Sequence, residues 1–177
     1  MRPADLTPLG RDALRGPARA GFIFASFLGA YILAVLPWSG GWLLARPDFV
    51  LLVLAYWSLY EPRVAGQGLA FALGLLMDVS DSMLLGQHAF TFVIAVFATQ
   101  VLRVRILTFR LPEQTLHMAG IFATAAVVML TLNLLLGAEF PGIAFLVSPL
   151  LTAIAWPPAT WLLTHGSARR GRSEASI

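Results

Sequence analysis

PDFVLLVLAYWSLYEPRVAGQGLAFALGLLMD, residues 47–78, contains two apolar segments separated by a charged, proline-containing break at residues 61–63. Proline disfavours helix at the residue before it, and charged side chains avoid the lipid interior. The break therefore predicts two separate helices, over 47–60 and 64–78. At about 21 and 23 Å by helical rise, both are short for a membrane span, so they need shielding by protein or a thinner bilayer.

The composition of the chain places it in a membrane. Hydrophobic residues make up 58% of the 177 residues and charged residues only 12%, and the mean hydropathy is +0.79. So few charges cannot cover the surface of a water-soluble globule of this size. Apolar segments recur from residue 21 to residue 165, so a single cleaved signal peptide does not explain them. The chain has no cysteine, which excludes a disulfide framework and a thiolate metal site.

The apolar segments predict an all-α integral membrane protein with about six transmembrane helices. Their boundaries are 21–38, 47–60, 64–78, 84–102, 115–136 and 142–165. We expect this transmembrane domain, 21–165, to lie between two basic tails, 1–20 and 166–177.

Arginine sets the predicted orientation, because the chain contains no lysine. Six crossings leave Arg46 alone on one side of the membrane. The other side receives Arg2, Arg11, Arg15, Arg19, Arg63, Arg103, Arg105, Arg110, Arg169, Arg170 and Arg172. Basic residues are enriched in cytoplasmic loops and tails, so a multi-pass protein with both termini in the cytoplasm is predicted.

Small residues recur along the third apolar segment. Gly66, Ala70 and Gly74 are spaced four residues apart, and Asp78 continues the same stripe. Such a ridge lets another helix backbone approach closely. An aspartate facing lipid at mid-bilayer costs about 2.5 to 3.5 kcal/mol on insertion scales, so we expect Asp78 to face protein.

Polar side chains gather at the predicted outer ends of the helices. They are Arg46, Asp48, Asp78, Asp81, Gln87, His88 and Asn133. Buried charges are tolerated when paired, so Arg46 is a candidate partner for Asp78 or Asp81. Alternatively, Asp81 or Ser82 caps the fourth helix while Asp78 is solvated, or the group contacts a partner, a ligand or an ion.

Prolines mark predicted limits of the helices. Pro47 lies early in the first turn of the second helix, where the positive helix end favours the neighbouring Asp48. Pro149, Pro157 and Pro158 are predicted to kink or break the last helix.

Aromatic and basic residues recur near the predicted cytoplasmic surface. Tyr56 and Trp57 are interpreted as aromatic-belt anchors, with partner recognition as the alternative. The stretch LRVRILTFRLPEQTL, 102–116, is predicted to be a cytoplasmic loop. Its three arginines favour contacts with lipid phosphates over a nucleic-acid site.

Sequence motifs for catalysis are weak. Asp78, Asp81 and a later histidine do not have the spacing of a metal site, which needs three or four ligands in fixed geometry. No serine has a G-x-S-x-G context, no glycine-rich phosphate loop occurs, and the absence of lysine excludes a Walker motif. We expect no enzyme activity, no metal and no cofactor.

Three stretches follow one another in a recognisable order: RPDFVLLVLAYWSLYEP, a glycine-rich helix ending in GLLMD, and LLGQHAF. Through them the chain resembles the rod shape-determining protein MreD family of bacterial inner-membrane proteins, over most of residues 47–114. The matching positions are Pro47, Tyr56, Trp57, Pro62, Gly74, Asp78, Leu85, Gly86, His88, Ala89 and Gln114. Ser82 stands where the family commonly has glycine, and LPEQ replaces a more usual tryptophan-containing loop.

The resemblance implies a non-enzymatic scaffold of the cell-elongation complex. Its expected partners are an MreC-like protein and, through it, a RodA-type glycosyltransferase, a class B penicillin-binding transpeptidase and MreB filaments. Contacts with membrane lipids are expected and nucleic acid is not. The implied fold is that of the six-helix substrate-binding (S) subunits of energy-coupling-factor transporters, in the bacterial inner membrane.

A second hypothesis is a membrane transport subunit that binds a small molecule or an ion, as those S subunits do. Fold similarity alone does not establish such a function. A ligand site should be a closed cavity with convergent polar groups, whereas a scaffold should have that space filled or open toward a partner.

Overall fold

The computed structural model describes residues 20–39, 46–82, 84–140 and 142–172, and side chains up to residue 167. These residues form six α-helices and a short 3-10 helix, with no β-strand among them. The α-helices are α1 (Ala20–Val35), α2 (Phe49–Tyr60), α3 (Gln67–Ser80), α4 (Gln87–Thr108), α5 (Leu111–Leu135) and α6 (Val147–Arg172), and the 3-10 helix is Gly142–Leu146. The all-α prediction is confirmed.

Helix α2 lies at the centre of the bundle. It packs against α1, α4 and α6, while α3 packs on α4, α4 on α5 and α5 on α6. Every residue of α2 from Val50 to Leu59 is buried. A helix of 12 residues is only about 18 Å long, and here the chain's own helices supply the shielding that its length requires.

Three helical segments are long and apolar enough to cross a membrane: Gln87–Thr108, Leu111–Leu135 and Gly142–Ser167. The other three helices, α1 to α3, are apolar but shorter. Large apolar side chains on the outside of the bundle, such as Phe24, Phe97 and Val104, are more than half exposed. A protein that exposes so much apolar surface on apolar helices is a membrane protein. The predicted tail 1–20, apart from Ala20, and residues 173–177 lie outside the described residues.

The predicted loop at 102–116 is wrong. Helix α4 continues to Thr108 and α5 begins at Leu111, so only two residues connect them. Arginine is a good helix former, and Arg105 lies in the last turn of α4, where the helix dipole favours a positive charge. Glu113 accepts a hydrogen bond from the backbone N–H of Arg110 (3.1 Å) and caps the start of α5.

The prolines were predicted to kink or break the last helix, and the break does not occur. Helix α6 continues through Pro157 and Pro158, and Pro149 lies in its first turn. Helices in membranes tolerate proline because neighbouring helices can compensate for the lost backbone hydrogen bond. Trp156, next to this pair, is fully buried and packs beside Tyr56 and Phe122.

Candidate functional site

Asp78 is a completely buried carboxylate that caps a helix other than its own. It lies near the end of α3, and its relative exposure is 0%. Its Oδ2 accepts a hydrogen bond from the backbone N–H of Gly86 (2.7 Å), and its Oδ1 accepts from the backbone N–H of His88 (2.7 Å). The His88 ring nitrogen Nδ1 is 2.9 Å from the same Oδ1. The carboxylate thus satisfies free N–H groups at the positive end of α4.

Glycines allow α3 and α4 to approach closely enough for this capping. Gly86 is the residue before α4 and has a φ of +108°, a conformation that favours glycine. A Cβ on Gly74 would overlap the backbone of Ala89 and would lie 2.7 Å from the carbonyl carbon of His88. Ala70, one turn before Gly74, is fully buried. The small-residue ridge therefore packs on α4 of the same chain, except that Gly66 lies just before α3 as its N-cap.

Arg46 forms an ion pair with Asp81, not with Asp78. Its Nη2 lies 3.0 Å from Asp81 Oδ2 and its Nη1 lies 3.4 Å from Oδ1. Nη1 also donates to the carbonyl of Ala34 in α1 (2.7 Å), and the Ser148 hydroxyl of α6 donates to the Arg46 carbonyl (2.7 Å). Arg46 thereby connects α1, the end of α3 and the start of α6.

Asp48 caps its own helix. Its Oδ1 accepts from the backbone N–H of Leu51 (2.9 Å), and its backbone N–H donates to the Thr152 hydroxyl of α6 (2.9 Å). The helix begins at Phe49, so Pro47 precedes the cap and does not lie in the first turn. The start of α2 is thus fixed both by its own cap and by α6.

His88 lies between the two aspartates. Its Nδ1 contacts Asp78, whereas its Nε2 is 3.7 Å from Asp81 Oδ2, beyond hydrogen-bonding distance. Because a carboxylate only accepts hydrogen bonds, the His88 Nδ1 is assigned a proton. We call Arg46, Asp78, Asp81 and His88 the Asp78 cluster. The solvated Asp78 and the capping of α4 by Asp81 or Ser82, considered above as alternatives, do not occur.

The side chains of the other two predicted polar residues, Gln87 and Asn133, make no hydrogen bond or ion pair with the cluster among the described residues. Gln87 is 5% exposed, and its Oε1 has no hydrogen-bond partner among the described residues. Asn133 of α5 is partly exposed and faces a cavity that Arg46, Asp48 and His88 also line. Asn133 thus lines the same cavity as three of the other predicted polar residues.

The cavity has a volume of about 230 Å³. Its apolar wall includes Phe92, Phe122, Met129, Leu130 and Phe145. Its polar wall is formed by residues at the N-terminal ends of α2, α4 and α6 together with Asn133. The arrangement can receive a small polar group attached to an apolar body.

Tyr56 and Trp57 are core residues, so the aromatic-belt prediction is wrong. Each is 2% exposed, because α2 is surrounded by other helices. The Trp57 indole N–H donates to the Ser26 hydroxyl of α1 (2.8 Å), and the Tyr56 hydroxyl is 3.1 Å from that of Thr164 in α6. The two aromatic residues join the central helix to two of its neighbours.

Two further motif positions, Pro62 and Gln114, lie in or beside helix connections at the opposite end of the bundle from the cluster. Pro62 begins the turn that follows α2, and the Arg103 side chain donates to the carbonyl of Leu59 at the end of that helix (2.7 Å). Gln114 is 7% exposed, and its side-chain amide donates to the carbonyl of Phe109 (3.4 Å). Gln114 thus contacts the connection that precedes α5, and Pro62 lies in the connection that follows α2.

Ser148 and Thr152 of α6 belong to the site but carry no signal in the sequence that would identify them. Each is a hydroxyl residue in an apolar helix, a common arrangement. Their backbone partners, Arg46 and Asp48, lie about a hundred residues earlier in the chain. Only the packing of α6 against α2 brings them together.

The family model for the rod shape-determining protein MreD matches residues 18–164. The chain belongs to the MreD family. The rod shape-determining protein MreD of Haemophilus influenzae is similar to it, with 37% identity over 67 residues, which are 38% of this chain and 41% of the relative. The aligned part thus spans about two fifths of the relative's length. The match places the Asp78 cluster and the cavity inside the MreD region.

The family is that of the rod shape-determining protein MreD, and the exposed apolar helices make the chain a membrane protein. No solved structure matches the chain. The resemblance to the S subunits of energy-coupling-factor transporters therefore stays a prediction. The described residues contain no group of three or more histidine, aspartate or glutamate side chains placed to hold a metal ion.

Proposed function

We propose that the protein is a non-enzymatic membrane scaffold of the cell-elongation complex. In this role it binds an MreC-like protein and, through it, a RodA-type glycosyltransferase, a class B penicillin-binding transpeptidase and MreB filaments. The observation that carries the proposal is the MreD family match over residues 18–164, which includes all but the C-terminal end of the helical bundle. The partners organise lateral peptidoglycan synthesis, and the scaffold holds them in a productive arrangement.

The polar side chains interact with other groups of the same chain, which supports a structural role. Asp78 caps α4, Asp48 caps α2, and Arg46 joins three helices while it pairs with Asp81. Charges that are held by partners within the chain fix the relative positions of helices. A rigid bundle can present fixed helix faces to the membrane spans of other proteins, where small-residue packing and interhelical hydrogen bonds give affinity.

The proposed topology has six crossings of the bacterial inner membrane with both termini in the cytoplasm. The arginine distribution supports it, because Arg46 is the one arginine at the cluster end of the bundle among the residues that the structure describes. Arg63, Arg103 and Arg110 lie at the other end, with the α2–α3 and α4–α5 connections. Arginines at that surface also favour contacts with anionic lipid headgroups.

Affinity purification tests the scaffold directly. The tagged protein is expressed at its natural level, extracted from its own membranes in mild detergent, and compared with an unrelated tagged multi-pass protein. Recovery of an MreC-like protein only with this chain is the expected result. Recovery of a pair of ATPases without an MreC-like protein would instead favour the transport-subunit hypothesis.

Depletion in a rod-shaped host gives a second test at the level of the cell. We expect depleted cells to become round, because lateral wall synthesis loses its organisation. Expression of the wild-type chain from a second locus should restore rods. Rod-shaped cells after complete depletion would contradict the proposal.

A further inference from the structure

The cavity has a closed side and a more open side. The side formed by α2, α3 and α4 is lined by buried residues, including Leu51, Met77 and Phe92. On the side formed by α5 and the start of α6, Met129, Leu130 and Asn133 are all partly exposed. Both α5 and α6 are long and apolar enough to cross the membrane. This partly exposed side is the candidate entry for a molecule dissolved in the bilayer.

The charges on the polar wall already have partners. The Arg46 guanidinium pairs with Asp81, and the Asp48 carboxylate accepts the N–H of Leu51. Behind His88, the Asp78 carboxylate holds three N–H donors. A charged ligand would lose its hydration, which is costly, and the Arg46 charge is already neutralised by Asp81. Of these groups Asp48 alone lacks an ion pair among the described residues, and its carboxylate is engaged in capping α2. The wall therefore favours an uncharged ligand.

Two polar groups on the wall keep hydrogen-bonding capacity. No residue that the structure describes makes a hydrogen bond to the side-chain amide of Asn133. The Nε2 of His88 lies 3.7 Å from Asp81 Oδ2, so it also has no hydrogen-bond partner among the described residues. The amide both donates and accepts, so together they match a hydroxyl, ester or amide group.

We propose that this cavity binds an uncharged hydrogen-bonding group carried on an apolar chain or ring, taken up from the membrane. The polar group contacts Asn133 and His88, and the apolar body contacts Phe92, Phe122 and Met129. A volume of about 230 Å³ is enough for one segment of a lipid or a whole small amphiphile. The site goes beyond the scaffold role, which needs no ligand.

The absence of cysteine from the chain makes the test simple. Leu130→Cys places one thiol on the cavity wall, and Ala126→Cys places one a turn deeper. Leu84→Cys is the matched control, because Leu84 is 61% exposed in the connection before α4 and does not line the cavity. Each full-length variant in phosphatidylcholine nanodiscs is labelled with N-ethylmaleimide, with and without a probe.

Three probes share an octyl-length chain and differ in the charge of the head: 1-octanoylglycerol, octanoate and octyltrimethylammonium. We expect 1-octanoylglycerol at ten times its dissociation constant to slow labelling of both cavity thiols about tenfold and to leave the Leu84→Cys rate unchanged. The two charged probes should protect neither thiol. Asn133→Leu on the Leu130→Cys background should abolish protection, and Asn133→Gln should retain it.

Several results would overturn the proposal. Absence of protection at both cavity thiols would mean that no such ligand binds. Equal protection by all three probes would mean that the head is not recognised. Protection by a co-purified partner protein, but not by 1-octanoylglycerol, would make the cavity a contact site for that partner. None of these results affects the affinity purification that tests the scaffold.

Mass spectrometry of molecules co-purified from the native membrane distinguishes the sources of the ligand. A neutral lipid enriched with the wild-type chain over Asn133→Leu would identify the bilayer as the source. Enrichment of a small uncharged amphiphile instead would identify a non-lipid molecule with the same chemistry. Enrichment of charged species alone would contradict the proposal.

Discussion

The carboxylate of Asp78 holds His88 through both the backbone and the ring, at 2.7 and 2.9 Å. The two residues lie on different helices, on either side of the α3–α4 connection. Asp78 therefore caps α4 from a neighbouring helix, while Asp81, three residues later, pairs with Arg46. The two acids of this short stretch have unequal structural roles.

Loss of Asp78 should destabilise the protein more than loss of Asp81. Asp78→Ala leaves buried N–H donors unsatisfied at about 1–3 kcal/mol each, so a loss of about 3 kcal/mol or more is expected. Asp81→Ala breaks an ion pair whose two side chains are each 22% exposed, and we expect about 1 kcal/mol. Thermal unfolding of the purified variants in one detergent measures both. Equal losses would contradict the capping role of Asp78.

Charge exchange should reveal the pairing of Arg46. Arg46→Asp and Asp81→Arg should each destabilise, and the double exchange should recover about 1 kcal/mol of the summed losses. Recovery should be incomplete, because Arg46 also donates to the carbonyl of Ala34. The matched control combines Arg46→Asp with Asp78→Arg, which should show no recovery. Recovery in that control alone would assign the pairing to Asp78.

Gly74 should tolerate no side chain, whereas another glycine of the same helix should. The Cβ of Gly74→Ala would overlap the backbone of Ala89, so α3 and α4 must separate at a cost of about 1–3 kcal/mol. A Cβ on Gly68 would meet no atom within 4 Å, so Gly68→Ala should be neutral or stabilising. Thermal unfolding measures both variants. A similar loss for the two would mean that the helices do not meet at Gly74.

The apolar segments were predictable because hydrophobicity is a local property of the sequence. All six segments correspond to helices, including the short α2. The predicted helix boundaries were wrong where local signals compete. Arginines and a proline around residues 103–112 suggested a loop, yet each of these residues is also compatible with a helix end. The environment of Tyr56 and Trp57 depends on which helices surround α2, and no local pattern encodes that.

The site was predictable in its residue types but not in its pairings. Asp78 and Asp81 were recognisable as acids in an apolar region, and Arg46 as the lone cation at that end. Which acid caps a helix and which pairs with Arg46 depends on the turn between α3 and α4. The hydroxyls of Ser148 and Thr152 reach the site through packing of distant segments. Such contacts arise only when the bundle assembles.

Replacement of Ser82 by glycine should stabilise the protein. Ser82 has a φ of +53°, a conformation that costs a residue with a side chain about 1–2 kcal/mol relative to glycine. Glycine also loses more entropy on folding, so Ser82→Gly should gain about 0.5–1 kcal/mol overall. Ala72→Gly, at an exposed position inside α3, should instead lose about 1 kcal/mol. Thermal unfolding should show a gain of stability for Ser82→Gly and a loss for Ala72→Gly. Destabilisation by Ser82→Gly would contradict the inference that the turn at Ser82 is strained.

Cysteine labelling should locate the two ends of the bundle on opposite sides of the membrane. Val64 and Leu84 are 49% and 61% exposed and lie in the connections before and after α3. In intact spheroplasts, a membrane-impermeant maleimide should label Leu84→Cys and leave Val64→Cys unlabelled, because positive charge retains the Val64 end in the cytoplasm. Inside-out vesicles should reverse the pattern. Labelling in permeabilised membranes is the control, because a cysteine that stays unlabelled there is inaccessible from either side. Labelling of both variants from one side would mean that α3 does not cross the membrane, and the six-crossing topology would then be wrong.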